Sequence, residues 1–355
     1  MARTVSATRA ERDLVRHCHR SLDVAALQQQ VLRSLRRLMP VDASFFATAD
    51  PETLLFTGAY SEEPLGTATP LFIDNEFGSD DVNKFAVLAT SPSPVRSLDS
   101  ATHHDRQSSR RYRDIMRPLG LGDELRAALT VRRECWGYLC LHRTDHPLGF
   151  TGSEVALLAR VAPHIAHALR QATLLHGPPT PTDARSPGVV LLADDLTLIA
   201  STPQAEQLLS SIERHDSMTR PLPVAVYAVA AALTAAERAT TQSRAVPSVR
   251  VRTMTGQWIG LHASRLQGSL GEDRIAVMVE PAQPRATAPL LLAAHALSPR
   301  ESEVATLVLR GASTRAISDT LHISQHTVQD HLTAIFDKVG VRSRRDLVGL
   351  FLGRA

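Results

Sequence analysis

The sequence predicts a multidomain chain in which two mixed α+β domains are followed by an all-α, four-helix domain. Three observations carry this. Proline-rich breaks at Gly177 to Pro187 and Pro281 to Pro289 divide the chain into three blocks. Alternating, strand-like runs fill the first two blocks and stop at the second break. Beyond it the apolar residues recur only at three- and four-residue spacing, behind helix-start signals at Ser298 and Ser343. A length of 355 residues suits three domains of ordinary size. We read 1–176 as the first domain, 177–187 as a linker, 188–281 as the second domain, 282–296 as a second linker and 297–355 as the third domain.

Composition narrows the function classes. An apolar content of 43% with 21% charged residues is ordinary for a globular protein, no run reaches the ~18 apolar residues of a membrane span, and the N-terminus lacks a secretory pattern. A cytoplasmic protein without a membrane partner is expected. Cys18, Cys135 and Cys140 are too few for a disulfide framework, and alternation along an extended strand would send Cys135 and Cys140 to opposite faces. The formal net charge of +3 gives little electrostatic pull on nucleic acid, so the local pattern must carry that case.

In the first block, Asp23 is a cap for a helix whose stripe is Leu27, Val31, Leu35 and Leu38, ended by Pro40. Strand runs follow at Ser44 to Thr48, Leu54 to Thr57, Arg126 to Val131 and Trp136 to His142, then a long helix from Ser153 to about Leu175, which Pro163 should kink. This order resembles the GAF sensory fold over roughly residues 20 to 172, most clearly in Leu119-Gly120-Leu121-Gly122-Asp123-Glu124-Leu125 and Cys135-Trp136-Gly137-Tyr138-Leu139.

The second block opens with Gly188 to Asp195, a strand run into an acidic turn, then a strand at Leu198 to Ser201, a helix at Gln204 to Ile212 and late strands at Ser248 to Met254, Trp258 to Leu266 and Arg274 to Glu280. That pattern resembles a PAS-type sensor module. Asp194-Asp195 after an apolar strand also invites comparison with a phosphoacceptor receiver, but residues 187 to 281 contain none of the lysine a receiver needs. We read the pair as a strand-end turn.

The third block is the most specific. Ser298-Pro299-Arg300-Glu301 is a capping box with proline at the first helical position, Val304, Leu307 and Val308 form the stripe, and Gly311 stops the helix. A short helix follows behind Ser313, with Ile317 and Leu321 facing inward. His322-Ile323-Ser324 then turns the chain, and Ser324 caps a third helix with Val328, Leu332, Ile335 and Val339 on its apolar face. The opposite face must carry His326, Gln329, Asp330, Thr333 and Asp337, where a recognition helix meets the major groove. Ser343-Arg344-Arg345-Asp346 opens a last helix whose apolar surface exceeds the needs of the bundle, so Leu347, Leu350 and Phe351 are assigned to a dimer interface.

Leu297-Ser298-Pro299-Arg300-Glu301, Gly311, Ile317, Leu321-His322-Ile323-Ser324, Thr327-Val328, His331-Leu332, Ile335, Lys338-Val339-Gly340-Val341 and Arg344 together resemble the LuxR/NarL-type helix-turn-helix. The resemblance implies a regulator that binds double-stranded DNA as a homodimer, with RNA polymerase a further candidate partner. It places Thr314, Arg315, Ser324, His326, Thr327 and Lys338 at phosphates and Gln329, Asp330 and Thr333 at base edges. Gln329 stands where relatives often carry lysine, and Thr333 where some of them do. Lower phosphate neutralisation and a shallower salt slope should follow.

No catalytic constellation is evident, no metal site is assigned to His164 and His167 or to His103-His104, and no cofactor is evident beyond an unidentified small molecule in either sensor-like domain. The rival readings are a phosphorylation-driven response regulator and an enzyme-like signalling module tethered to DNA.

Overall fold

The computed structural model describes residues 2–144, 149–175, 186–212, 222–239, 246–267 and 273–352, with side chains from residue 9 onward. The chain divides into two compact units, Met1–Pro281 and Ala282–Ala355.

The first unit begins with α1 (Ala2–Cys18) and α2 (Val24–Arg36). Asp23 caps α2 by accepting from the Ala26 N–H at 2.7 Å, and Leu27, Val31 and Leu35 are buried along it. Next come β1 (Ala43–Ala49), β2 (Phe56–Ser61), α3 (Thr69–Ile73), α4 (Phe85–Thr90), β3 (Val95–Ser97), α5 (Leu98–Ala101), β4 (Leu121–Val131), β5 (Glu134–Thr144) and α6 (Gly152–Ala172). The strands form an antiparallel sheet in the order β2-β1-β5-β4-β3. A Thr151/Glu154 capping box starts α6, which continues through the exposed Pro163. Its close seat against the sheet requires Gly137, where a Cβ would lie 2.7 Å from Leu169 Cδ1 and 2.5 Å from the Ala47 carbonyl oxygen.

A register shift between Leu129 and Thr130 reverses the alternation near the start of β5. Cys135 and Cys140 consequently join one core cluster with Tyr138, so the expectation that they face opposite sides is corrected.

The second sheet contains β6 (Gly188–Leu192), β7 (Leu198–Ser201), β8 (Ser248–Arg252), β9 (Trp258–Leu266) and β10 (Arg274–Pro281), with α7 (Pro203–Ser210) and α8 (Val224–Arg238). It too is antiparallel, and its order, β7-β6-β10-β9-β8, repeats that of the first sheet. The linker expected at 177–187 lies outside the described residues apart from its last two positions.

Helix α8 was not foreseen, and it explains why the two sheets make one unit. Its sequence, VAVYAVAAALTAA before the final Glu-Arg, is apolar on nearly every side, which suits a helix buried all round. Ala225, Val226, Val229, Ala230 and Leu233 pack with Val190, Ile259 and Val277 of the second sheet. Val224, Tyr227, Ala228 and Ala231 pack with Phe45, Phe56 and Tyr138 of the first. One helix therefore completes both cores. Asp50 reinforces the join by accepting from Arg250 Nε at 2.8 Å and Nη2 at 2.6 Å.

The second unit consists of α9 (Pro284–Ala294), α10 (Pro299–Leu309), α11 (Thr314–Leu321), α12 (Gln325–Val339) and α13 (Arg344–Leu352). The segment read as a linker at 282–296 is thus largely helical. Pro284 occupies a position at the helix start that needs no N–H donor, and Ala288 and Leu292 are buried in the bundle core.

Candidate functional site

The local chemistry of the second unit positions a reading helix. Ser298 and Glu301 form the complete capping box of α10, and Gly311 closes its end at φ 84°. Ser313 caps α11 by accepting from the Ala316 N–H at 3.1 Å. His322 then adopts a left-handed conformation, φ 54°, and Ser318 Oγ donates to the Ile323 carbonyl at 2.5 Å, fixing the turn into α12. Ser324 caps α12 through the Thr327 N–H at 3.0 Å. Only the serine half of the expected second box is seen before α13, where Ser343 Oγ accepts from the Asp346 N–H at 3.1 Å.

Val328, Leu332, Ile335 and Val339 are buried with Val304, Ile317 and Leu347. His326, Gln329, Asp330, Thr333 and Asp337 are exposed on α12. His326 Nε2 lies 3.9 Å from Asp330 Oδ2, and Thr333 Oγ1 donates back to the Gln329 carbonyl at 3.1 Å. Asp330 and Asp337 make this exposed set acidic, so a phosphate backbone would have to be met by other cations. Arg315 on α11 is exposed, and Thr314 and Thr327 are half-buried at the first turns of their helices.

Two expectations change. Lys338, expected at phosphate, donates from Nζ to Glu301 Oε1 at 2.7 Å and Oε2 at 2.6 Å, which occupies two of its three donors. Leu347 and Phe351, expected at a dimer interface, are 0% and 2% exposed, and the Phe351 ring stands edge-on to His295 with centroids 5.7 Å apart. The apolar excess of α13 is taken up by α9, a helix the sequence reading treated as linker. Leu350, at 55%, stays exposed.

The first unit contains a partly open pocket between the first sheet, the segment leading into α3, residues 111–116 and the first residue of α8. Phe45, Leu65, Phe72, Ile115, Met116 and Val224 give it an apolar body, and Arg111, Glu124 and His142 its polar wall. Behind that wall is a buried charge network. Arg111 pairs with Glu124 at 2.7 Å and Arg126 with Glu76 at 2.7 Å and Glu124 at 3.0 Å, while the Arg126 guanidinium lies 4.3 Å from the Phe85 centroid. Burial alone would raise the Glu124 carboxyl, but Arg111 and Arg126 override it and hold it well below the carboxylate range. Burial depresses His142 to about 4, so its ring is neutral at pH 7.

Glu124 faces His142 across β4 and β5, and Cys140 is two residues along the same strand. Cys140 Sγ lies 3.0 Å from Glu124 Oε1 and 3.1 Å from His142 Nε2. These are metal-ligating types, yet both Glu124 oxygens already meet guanidiniums, which oppose a cation, and burial pushes the thiol up. The sequence reading missed this site because its members are distant in sequence. The only local signal was charge at Glu124, Arg126 and His142 within otherwise apolar strand runs.

Asp194 pairs with Arg265 at 2.5 Å, and Asp195 accepts from the Thr197 N–H at 2.9 Å within the turn between β6 and β7. That antiparallel setting differs from the parallel sheet of receiver-type folds.

The two units thus define a chain with a pocket-bearing α+β fold and a helix-turn-helix. Residues 295–351 match the family "Bacterial regulatory proteins, luxR family", and residues 23–169 match the GAF domain family. The chain carries a LuxR-type helix-turn-helix domain and an N-terminal GAF domain. A 58-residue stretch is 40% identical to the "Probable HTH-type transcriptional regulator GfsR" of Streptomyces halstedii, covering 16% of this chain and 24% of that protein. The chain thus matches about a quarter of the length of that relative.

Among solved structures, the VqsR LBD domain from Pseudomonas aeruginosa is similar at 13% identity and TM-score 0.35, over 48% of this chain and 98% of that one. Vibrio cholerae VqmA is similar at 17% identity and TM-score 0.19, over 47% and 83%. Bacteriophytochrome RpBphP3 from R. palustris is similar at 12% identity and TM-score 0.33, over 77% and 62%. At such scores these likenesses carry no functional weight. No helix among the described residues is long and apolar enough to cross a membrane.

Proposed function

We propose that the chain is a cytoplasmic one-component transcription regulator that binds double-stranded DNA as a homodimer and senses a signal through its first unit. The observation that carries this is α12, which buries Val328, Leu332, Ile335 and Val339 and exposes Gln329, Asp330 and Thr333 on the other side. Gln329 suits adenine N6 and N7, and Asp330 can accept from cytosine N4. Arg315, Thr314, Ser324, His326 and Thr327 are assigned to phosphates, with Lys338 principally structural because Glu301 holds it. RNA polymerase is the partner such a regulator would meet at a promoter.

The pocket in the GAF domain is the signal site in this reading, with a small, largely apolar ligand and one polar group directed at His142. The second sheet is assigned as PAS-like from its strand order. Because Val224 of α8 lines the pocket while the next turns of α8 fill the second core, ligand binding has a direct mechanical route between the modules. Such coupling needs unequal ligand affinity for two states.

Binding-site selection with the full chain, repeated with Gln329→Ala, tests the reading. A defined site that loses preference at one base pair is expected, whereas no sequence preference at any salt concentration would reject it.

A further inference from the structure

On the α6 side of the first domain four basic residues meet, and Glu134 is the one acid whose charge acts on Arg170 among them. His19 Nε2 lies 3.3 Å from His164 Nδ1, and the His19 and His167 ring centroids are 5.2 Å apart. His167 Nδ1 accepts from Arg170 Nη2 at 3.0 Å. Arg170 is 3% exposed, and its Nε and Nη1 are buried with no hydrogen-bond partner among the described residues. The other charged groups acting on this cluster are Arg132, which is exposed, and Glu134, which is half-buried and makes no ion pair with Arg170 within 4.0 Å among the described residues.

A guanidinium with this much donor capacity unspent is strongly disfavoured in a protein interior. Its planar geometry specifies what would satisfy it. Nη2 carries two hydrogens, and His167 can take only one. Whichever edge of the fork His167 occupies, the other edge keeps two parallel N–H donors, the arrangement that binds a carboxylate or phosphoryl group in bidentate fashion.

We propose that Arg170, together with His167, His164 and His19, forms an oxyanion-binding site for a small ligand bearing a phosphoryl or carboxylate group. The site is separate from the pocket, whose lining includes none of these residues. His167 tunes it: an anion beside the ring favours its protonated form, which no longer accepts from Arg170 at Nδ1 and so frees that Nη2 donor, and binding strengthens as pH falls. Burial first, then the Arg170, His19, His164 and Arg132 charges, hold His167 below its ordinary value, a bias a bound anion reverses.

The test uses the full chain with inorganic phosphate, and separately acetate, at ionic strength matched with chloride. Saturable stabilisation by a few degrees in Tm is expected, with an upward shift of the His167 titration followed by NMR. Phosphate acting alone identifies a phosphoryl ligand, and acetate acting alone a carboxylate. Arg170→Met should weaken the response at least tenfold, and Arg170→Lys, which keeps the charge and loses the fork, should do nearly the same. If Arg170→Met does not fold, the His167 titration in the unmutated protein and the Lys variant still decide. Absence of any saturable effect beyond chloride, an unmoved His167, or equal affinity in Arg170→Lys would overturn the proposal.

Discussion

Lys338 on α12 donates to both carboxylate oxygens of Glu301 on α10, and the same carboxylate accepts from the Ser298 N–H at 2.6 Å. The glutamate of the α10 capping box is therefore also the anchor of the reading helix. Burial opposes the charged form of Glu301, yet the Lys338 and Ser298 hydrogen bonds outweigh it and keep its carboxyl below the ordinary range. Lys338→Met should lower the stability of the C-terminal unit by about 1–2 kcal/mol, between the values for exposed and buried pairs. Because the folded value is depressed from 4.5, the contribution is complete above that pH and fades as pH falls below it. Denaturant titrations at pH 7 and pH 3 should show the difference between wild type and Lys338→Met shrinking at the lower pH.

The groove face and the phosphate contacts separate experimentally. Gln329→Ala should relax one base pair of the preferred site by about 1–3 kcal/mol with little change in salt slope. Arg315→Ala should weaken all sequences alike and reduce the slope of log K against log salt by about one. Gln329→Lys should do the opposite and steepen the slope. Binding isotherms over a salt series distinguish these outcomes.

Neighbouring residues of α13 should behave differently. Phe351, 2% exposed, is part of the bundle core, and Phe351→Ala should cost about 3–5 kcal/mol of folding stability. Leu350 is 55% exposed, so Leu350→Asp should leave thermal stability nearly unchanged and shift the chain toward monomer in sedimentation equilibrium. Equal loss of stability in both variants would remove α13 as the dimer surface.

His142 gives the first unit a pH dependence of known sign. Its folded-state value of about 4 lies below the ordinary 6.5, so the unfolded chain binds the proton more tightly. Stability is then complete above pH 6.5 and is lost as pH falls toward 4, by about 3 kcal/mol at most for a shift of this size. His142→Gln should flatten that part of the stability curve, as measured by equilibrium denaturation at half-unit intervals.

Asp50 is 1% exposed, and Arg250 holds both of its oxygens. Removing only the acid leaves the Arg250 guanidinium at the join between the two sheets with Glu52, 2.8 Å away, as its remaining carboxylate, so Asp50→Ala should cost about 1.5–3 kcal/mol. The double variant Asp50→Leu with Arg250→Met should recover much of this, and a double-mutant cycle on global unfolding measures the recovery.

The sequence by itself determined what local chemistry decides. Ser298, Ser313 and Ser324 satisfy helix N–H groups within three residues of themselves, Gly311 and Gly340 supply left-handed stops, and the four-three-four spacing of Val328, Leu332, Ile335 and Val339 follows from helix geometry. Most strands were legible for the same reason, since alternation is a property of the chain.

Tertiary structure decided everything that depended on what lay opposite. Leu347 and Phe351 read as surplus apolar surface until α9 covered them, and Lys338 read as a free cation until α10 brought Glu301 to it. Cys135 changed face because a register shift altered the strand's alternation. The Glu124, Arg126, Cys140 and His142 cluster required two strands in register, and the unspent donors of Arg170 were buried only when α6 packed on the first sheet. Periodicity states which side of an element is apolar, but burial, partner and charge balance are properties of contacts between segments far apart in sequence.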